Sequence, residues 1–317
     1  MRALAARLLR LVAVLIAVTA ASYSMVSLLP GDTVSAVLGA NSTQEAREEA
    51  RAQLRLDDPL PVRYGHWVAD ALQGDLGRSY KTKQDISEAL GQRIGVTVQL
   101  VLMTQLIALL LAVPMAMASA LRPGRWPDRV ISAAQLAMMS APGYLIAIGL
   151  MALFAVRLGW FDTTGYIHLS DDPLGSIKSL LLPAVALSVE PCATYGRVLR
   201  TDLAATFDQD YIWYARAKGN STRRIVLRHA LRPSSIGVVT LTGISLGRMI
   251  GGTVLAESIF ALPGLGRFTI DAINNRDFMA LQGCVVVLTV AFVVVNFLVD
   301  IFHGVIDPRL RSMERAA

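Results

Sequence analysis

Residues 94–121 read IGVTVQLVLMTQLIALLLAVPMAMASAL, a run of 28 residues without one charged side chain. An α-helix needs about 20 mostly apolar residues to cross the hydrocarbon core of a bilayer, which is about 30 Å thick. Because lipid offers no hydrogen-bond partners, a backbone inside it must satisfy its own amide and carbonyl groups, as a helix does. This run is therefore predicted to be a transmembrane helix.

Five more stretches of the same kind occur along the chain. Three are uncharged, at residues 11–31, 130–156 and 278–299. Two are each interrupted by one charge, residues 179–196 by Glu190 and residues 233–256 by Arg248. The sequence thus predicts an all-α polytopic membrane protein with six transmembrane helices. The first run is longer than the apolar core of a signal peptide, so we expect it to be retained as the first span.

The distribution of charge predicts the orientation of these helices. The formal net charge is +6, and 17% of the residues are charged, against about 25% in soluble domains. If the N-terminus is cytoplasmic, the inside segments are residues 1–10, 122–129, 197–232 and 307–317. They hold 17 Lys and Arg against 6 Asp and Glu, whereas the outside segments hold 12 against 15. Cytoplasmic loops are enriched in Lys and Arg, so both termini are predicted to be cytoplasmic, and no nucleic-acid partner is expected.

The external segment, the two cysteines and the four histidines give no indication of a catalytic or metal site. In the external segment 32–93, Ser42-Thr43-Gln44-Glu45 fits a capping box and predicts a short helix, followed by an amphipathic segment around Trp67. Cys192 and Cys284 both fall within predicted spans, and the four histidines are scattered. Neither a disulfide framework nor a metal site is indicated.

Prolines and glycines indicate where the spans bend. Pro142-Gly143 lies near the middle of the third span, residues 130–156, and predicts a kink. The fourth span, residues 179–200, contains Pro183 and Pro191. The fifth is predicted to cover residues 233–260.

The segment between the fourth and fifth spans, residues 197–232, is the most informative for function. Tyr211 to Lys218 has helical composition, and Gly219 is a natural helix terminator. A second helical stretch is predicted to begin after Asn220-Ser221-Thr222. A short helix at the end of a bundle can contact a soluble partner, but a basic loop can equally lie against anionic lipid headgroups. The residues alone leave both interpretations open.

This segment resembles the loop that permeases of ABC importers insert into a cleft of their ATPase subunits. Ala215 is followed by Gly219 and then by His229-Ala-Leu-Arg. The form Tyr-Ile-x-x-Ala-Arg-Ala-Lys-Gly at 211–219 is similar to the dipeptide and oligopeptide subfamily, in particular to its B-type partner. Further similar blocks are at residues 56–64, 74–79, 257–266, 276–277 and 307–311. The general family signature begins Glu-Ala-Ala, where this chain has Trp213-Tyr214-Ala215, and Pro233 comes earlier than in the family pattern.

The resemblance implies a type-I ABC importer permease fold in the bacterial plasma (inner) membrane. Implied partners are a second homologous permease subunit, two ABC ATPase subunits or one fused ATPase chain, an extracytoplasmic substrate-binding protein and membrane lipid. No glycine is followed by lysine in this chain, which excludes a P-loop. The chain is therefore predicted to be non-catalytic and without a cofactor, with ATP and Mg bound by partner subunits. The implied ATPase-coupling residues are Tyr211, Ala215, Arg216, Ala217, Lys218, Gly219, Arg223 and His229.

The expected organisation has three parts. Residues 1–93 form the first helix plus an external segment, residues 94–308 the permease domain with five helices and the coupling loop 197–232, and residues 309–317 a cytoplasmic tail. Peptides are the expected cargo, and alternating access the expected mechanism. Nickel chelates, haem or another small solute are alternatives within the same importer class. An ion-coupled secondary transporter or channel is an alternative of another class, and a membrane-embedded enzyme is disfavoured because no nucleophile–base or metal spacing occurs in the spans.

Charges inside apolar helices are costly unless they are paired or wet. Glu190, Arg248, Glu257 and Asp300 are therefore candidates for the translocation path, where they would contact the charged ends of a peptide. The alternative is that they form interhelical ion pairs that fix the packing. We expect the path for Glu190 and Arg248, which lie well inside their spans, and a structural or interfacial role for Glu257 and Asp300.

Glycines suggest two further features. Gly243, Gly247 and Gly251 recur at intervals of four, which places them on one helix face and allows another backbone to approach closely. That contact is expected within the bundle, at a permease–permease interface, or at both. Pro263, Gly264 and Gly266 close the fifth span on its outer side and are a candidate outer gate, with an ordinary turn as the alternative.

Overall fold

The computed structural model describes residues 2–27, 58–79 and 81–306, together with positions 43, 44, 48 and 51. Within these residues the chain consists of helices, turns and one isolated bridge between Arg78 and Asp85. The predicted all-α class is therefore confirmed. The capping box predicted at residues 42–45 and the tail after residue 306 lie outside the described residues.

The helices are labelled here in chain order. They are α1 (Arg2–Ser27), α2 (Leu60–Leu72), α3 (Ile86–Ala120), α4 (Trp126–Ser140), α5 (Gly143–Arg157), α6 (Pro173–Phe207), α7 (Asp210–Ala217), α8 (Thr222–Gly252), α9 (Val254–Ile259), α10 (Leu265–Asn274) and α11 (Phe278–Ile306). The second half of α5, Met151–Arg157, is π-helical. So is one turn of α8, Ile225–Ala230.

Several of these helices have the length and composition of membrane spans. Among the described residues, α3, α6, α8 and α11 each qualify alone, and α4 with α5 qualifies as one bent span. The N-terminal helix α1 is 26 residues long and would be the sixth. The chain is thus a helical, multi-span membrane protein, while the count of six and the cytoplasmic termini stay predictions.

The spans on either side of the predicted coupling loop extend further than their uncharged cores. Residues 197–207 continue α6, and residues 222–232 form the start of α8. Charged side chains are compatible with a helix, and residues 197–207 contain no proline or glycine that would weaken it. The irregular part of the loop is therefore limited to residues around α7.

The predicted kink in the third span is much sharper than an ordinary proline kink. Helices α4 and α5 are bent by 100° to each other. Ala141, which precedes Pro142, is held in an extended conformation with φ −85° and ψ 127°, because the proline ring disfavours a helical residue before it. The break at Ala141 and Pro142 therefore divides the third predicted span into two helices, α4 and α5.

One of two compact units of the chain comprises residues 1–97 and 263–294. Its buried cluster contains Ile86 and Leu90 from α3, Leu265 from α10 and Cys284 from α11. The backbone amide of Leu265 donates a hydrogen bond to the Thr97 hydroxyl at 2.9 Å. These contacts hold α10 against α3 and α11 within this unit.

The other unit comprises residues 98–262 and 295–317 and contains both candidate sites described below. A stripe of alanines on α3, Ala108, Ala112, Ala116 and Ala120, is buried in its main cluster. Small side chains at intervals of four allow helices to pack closely in a membrane. The same cluster includes Leu199 and Leu203 of α6, so α3 and α6 form the centre of this unit.

Candidate functional site

Helix α7 is fixed to the ends of two spans by one buried face. Ile212 is completely buried, and Ala215, three residues later, is nearly so. Residues three apart lie on the same side of a helix. Both side chains belong to the cluster that includes Leu203 of α6 and Ala230 of α8. Movement of α7 would therefore be transmitted to α6 and α8.

The C-terminal end of α7 is closed by Gly219, as the sequence predicts. Gly219 has φ +80°, a left-handed conformation that glycine adopts without penalty. Its amide donates to the Arg216 carbonyl at 2.9 Å, and the Asn220 side-chain Nδ2 donates to the Ala215 carbonyl at 3.0 Å. Two of the last carbonyls of this short helix are thereby satisfied.

The Tyr211 side chain approaches the His229 carbonyl at a place where the backbone hydrogen bonding of α8 is interrupted. Pro233 has no amide hydrogen, so the carbonyl of His229, four residues earlier, lacks its usual helical donor. The Tyr211 hydroxyl lies 3.5 Å from that carbonyl oxygen, at the long limit of a hydrogen bond. His229 lies within the π-helical turn of α8, and such turns often occur at functional sites.

The opposite face of α7 presents aromatic and cationic side chains to solvent. Trp213 and Tyr214 are 59% and 64% exposed. The Arg216 guanidinium lies 5.2 Å from the Trp213 ring centroid, and Lys218 Nζ lies 4.5 Å from that of Tyr214. Aromatic residues and arginine are enriched in protein–protein interfaces. Ala217 and Arg223, also among the predicted coupling residues, are exposed beside this surface.

Two of the four candidate path charges line a common cavity between α6 and α8. Glu190 of α6 and Arg248 of α8 both border this space of about 220 Å³. In the part of the chain that the structure describes, neither forms an ion pair. A charge inside a span is tolerated when it is paired or in contact with water, and the cavity gives both side chains space for water.

Hydrogen-bonded polar groups form one wall of this cavity. The Tyr195 hydroxyl of α6 donates to Gln105 Oε1 of α3 at 2.8 Å. Gln105 Nε2 in turn donates to the Ser245 hydroxyl of α8 at 3.0 Å. Tyr195 and Ser245 both border the cavity. This chain of hydrogen bonds joins three spans, so a change in the cavity would affect the packing of all three.

The other two candidate path charges are placed elsewhere. Glu257 is fully buried in α9 and accepts a hydrogen bond from the Thr253 hydroxyl at 2.8 Å. It is not among the residues that border the Glu190–Arg248 cavity. Asp300 lies in α11, but its side chain is outside the described residues.

The three glycines of α8 have different surroundings. A Cβ atom at Gly243 would clash with the Val299 side chain of α11, so close packing within the chain requires glycine there. Gly247 is buried as well. A Cβ at Gly251 would meet no atom within 4 Å. The face therefore packs within the chain at Gly243 and is open at Gly251.

At the candidate outer gate, the special backbone conformation belongs to an alanine. Pro263 and Gly264 precede α10, and Gly264 has φ −99°, which any residue can adopt. Gly266 is buried in the first turn of that helix. The left-handed residue is Ala261, with φ +52°. Gly264 and Gly266 thus adopt no unusual backbone conformation, and their assignment to an outer gate stays a prediction.

An ion pair that the sequence did not single out joins α3, α4 and α6. Arg200 Nε and Nη2 lie 2.7 Å from Asp128 Oδ1 and Oδ2, respectively. Arg200 Nε also donates to the Ser119 hydroxyl at 3.0 Å, and the Gly124 amide donates to Asp128 Oδ2 at 2.8 Å. We call this group the Arg200–Asp128 clamp. The available signal was one acidic residue among the three arginines of residues 122–129.

Loss of the clamp is expected to destabilise the folded chain. Asp128→Asn should lower the free energy of unfolding by about 2 kcal/mol, because a bidentate hydrogen bond between charged groups is replaced by a neutral one. The measurement is the thermal midpoint of the purified chain in detergent. Asp208→Asn, at an exposed residue just after α6, is the matched control and should leave the midpoint unchanged. Equal midpoints for both variants would contradict the role of the clamp.

Comparison with known proteins identifies relatives along almost the whole chain. Residues 89–312 match the family described as binding-protein-dependent transport system inner membrane component, and residues 1–101 match the N-terminal region of such components. A putative peptide transport system permease protein of Brucella abortus is 36% identical over 305 residues, which cover 96% of this chain and 97% of the relative. A glutathione transport system permease protein of Salmonella choleraesuis is 33% identical with the same coverage.

Solved structures share the fold. A chain from inward-facing structures of the MetNI methionine ABC transporter aligns with a TM-score of 0.57 and 17% identity, covering 69% of this chain and 96% of that chain. A chain from an amino acid ABC transporter aligns with a TM-score of 0.52 and 15% identity, covering 68% and 94%. At these identities the likeness concerns the fold alone.

Proposed function

The chain belongs to the family of binding-protein-dependent transport system inner membrane components, and from this membership we propose that it is the permease subunit of an ATP-driven importer of peptides. In this proposal it lies in the bacterial plasma membrane and pairs with a second permease. Two ATPase subunits, or one fused chain, drive it from the cytoplasm, and a substrate-binding protein delivers cargo outside.

The observation that carries the assignment of peptides as cargo is the placement of Glu190 and Arg248 on one cavity between two spans. A peptide at neutral pH has an ammonium group at one end and a carboxylate at the other. An acidic and a basic side chain on the same space match those two ends. The names of the relatives agree, since they describe peptide and glutathione transport, and glutathione is itself a short peptide.

Coupling to ATP hydrolysis is assigned to α7. Its exposed aromatic and cationic face would contact the ATPase subunit, and Ile212 and Ala215 would transmit the movement to α6 and α8. These two helices are also the ones that border the cavity. When ATP closes the ATPase pair, α7 would move with it, and the spans would open outward. Binding of ATP and of the cargo-loaded binding protein would thus shift the equilibrium between two conformations of one helix bundle.

Reconstitution tests this function directly. Proteoliposomes with this chain, its permease partner, the ATPase subunits and the binding protein should accumulate a labelled peptide only when ATP is present on the ATPase side. Proteoliposomes with this chain alone should show no uptake, because it contains no P-loop. Uptake by the chain alone under a proton or sodium gradient would instead establish an ion-coupled transporter.

The cargo can be tested separately from the mechanism. The binding protein that co-purifies with the assembled importer is expected to carry a peptide, detectable by mass spectrometry after denaturation. A nickel chelate, haem or another solute in its place would overturn peptide cargo and leave the permease assignment intact. The proposal about the cargo can therefore be refuted without refuting the proposal about the mechanism.

A further inference from the structure

A second polar cavity lies between α4 and α6, beside the Arg200–Asp128 clamp. It has a volume of about 310 Å³, and each helix contributes one set of residues spaced i, i+3 and i+4. They are Ser132, Gln135 and Leu136 of α4 and Arg197, Arg200 and Thr201 of α6. Such spacing places each set on one face of its helix. Two helix faces with polar groups are therefore turned toward the same space.

Gln135 is the unusual member of this set. Its side chain is completely buried, and neither Oε1 nor Nε2 has a hydrogen-bond partner among the described residues. It lies directly against α6 at Gly196, where a Cβ atom would clash with Nε2. Nearly all buried polar side chains in folded proteins are hydrogen-bonded. A buried amide without protein partners at the wall of a cavity takes its hydrogen bonds from ordered water or from a ligand.

The charges around this cavity select an anion. Arg197 is exposed, and its Nη1 lies 3.6 Å from the Met139 sulfur, which is a weak acceptor. Arg200 uses Nε and Nη2 on Asp128, so Nη1 is its remaining donor nitrogen. No carboxylate borders the cavity. Guanidinium groups together with amide and hydroxyl donors form a typical phosphate-binding set.

The position of the cavity indicates which phosphate it binds. Helix α6 is a candidate membrane span, and α4 is the first arm of the bent one. Leu136 and Met139, on the same side of α4, are 59% and 43% exposed, as expected for side chains in contact with acyl chains. Under the charge-based orientation, these residues lie near the cytoplasmic surface, where basic pockets between transmembrane helices bind anionic lipid headgroups.

We propose that this cavity binds the phosphate headgroup of an anionic phospholipid of the cytoplasmic leaflet. Arg197 would hold the phosphate oxygens, Gln135 would donate to them once its side chain turns toward the cavity, and the acyl chains would run along Leu136 and Met139. The headgroup would then lie next to the Arg200–Asp128 clamp, so the lipid would support the junction of α3, α4 and α6.

Native mass spectrometry of the full-length chain tests this proposal. The chain is equilibrated in mixed micelles with equal amounts of phosphatidylglycerol and phosphatidylcholine, and the retained lipids are counted. Phosphatidylglycerol should be retained in preference. Arg197→Gln should weaken retention of phosphatidylglycerol about fivefold, as for loss of one basic contact to an anionic lipid. Gln135→Leu should also weaken its retention. Arg129→Gln is the matched control, because Arg129 is exposed in the first turns of α4 and does not border the cavity.

Four outcomes would overturn the proposal. Equal losses in Arg197→Gln and Arg129→Gln would show general attraction of anionic lipid to basic residues. Displacement of the lipid by millimolar inorganic phosphate would show a site for the free ion. Loss of binding to a second permease subunit in Arg197→Gln, with lipid retention unchanged, would show a subunit interface. A higher thermal midpoint for Gln135→Leu with unchanged lipid retention would show that the amide is merely unsatisfied.

Discussion

Ala215→Asp is expected to abolish ATP-driven peptide uptake while the chain still inserts into the membrane. Ala215 is nearly fully buried in the cluster that joins α7 to α6 and α8. An unpaired carboxylate buried there costs about 3–5 kcal/mol, which would reduce the population of docked α7 more than about 100-fold. The measurements are uptake and ATP turnover in proteoliposomes with the assembled importer, together with the amount of chain in the membrane fraction.

A matched control separates loss of coupling from a general effect of negative charge. Ala205→Asp adds the same charge at an exposed position of α6 and should preserve uptake. Gly219→Arg is expected to act in the same direction as Ala215→Asp but more weakly. The space around Gly219 is open, so the main cost is a left-handed conformation in a residue with a side chain, about 1–2 kcal/mol. Normal uptake by Ala215→Asp would refute the assignment of α7.

The fold class could be predicted because the membrane leaves a chain few options. A run of uncharged residues such as 94–121 must be helical in lipid, and α3 covers nearly all of it. The ends of the helices could not be predicted in this way. Charges mark where a span leaves the lipid, but α6 continues past Arg197 to Phe207, because charged side chains are compatible with a helix. The angle at Pro142 depends on the contacts of both arms, which no local pattern encodes.

The two sites differ in how much a sequence reveals. The end of α7 at Gly219 follows from one residue, because a helix-terminating glycine acts locally. The meeting of Glu190 with Arg248 depends on the rotation of two helices that are far apart in sequence. Asp128 and Gln135 are single polar residues in or beside an apolar run, so they give no periodic signal. Their roles become visible only through Arg200, which pairs with Asp128, and Gly196, against which Gln135 packs on α6.

Arg248→Met is expected to lower uptake of an unmodified peptide by about 10- to 100-fold. Arg248 and Glu190 border the same cavity, and the guanidinium is the group proposed to bind the peptide carboxylate. A hydrogen bond to a charged group contributes about 1.5–3 kcal/mol, and its loss gives a factor of this size. Methionine keeps much of the length of the side chain and removes the charge and the hydrogen-bond donors of the guanidinium. Glu190→Gln should have a comparable effect at the ammonium end.

A sharper test is whether the effect of each substitution depends on which end of the peptide is chemically capped. Arg248→Met should reduce uptake of a C-terminally amidated peptide much less than uptake of the free peptide, because the amide has no carboxylate for Arg248 to bind. Glu190→Gln should show the same contrast with an N-acetylated peptide. Uptake by each variant is compared with uptake of the same peptide by the unchanged chain. This comparison cancels any preference of the binding protein for one peptide over another. Arg157→Met, at an exposed residue outside the cavity, should behave like the unchanged chain. If Arg248→Met and Glu190→Gln impaired free and capped peptides equally, the two charges would stabilise the packing of α6 and α8 and would not recognise cargo.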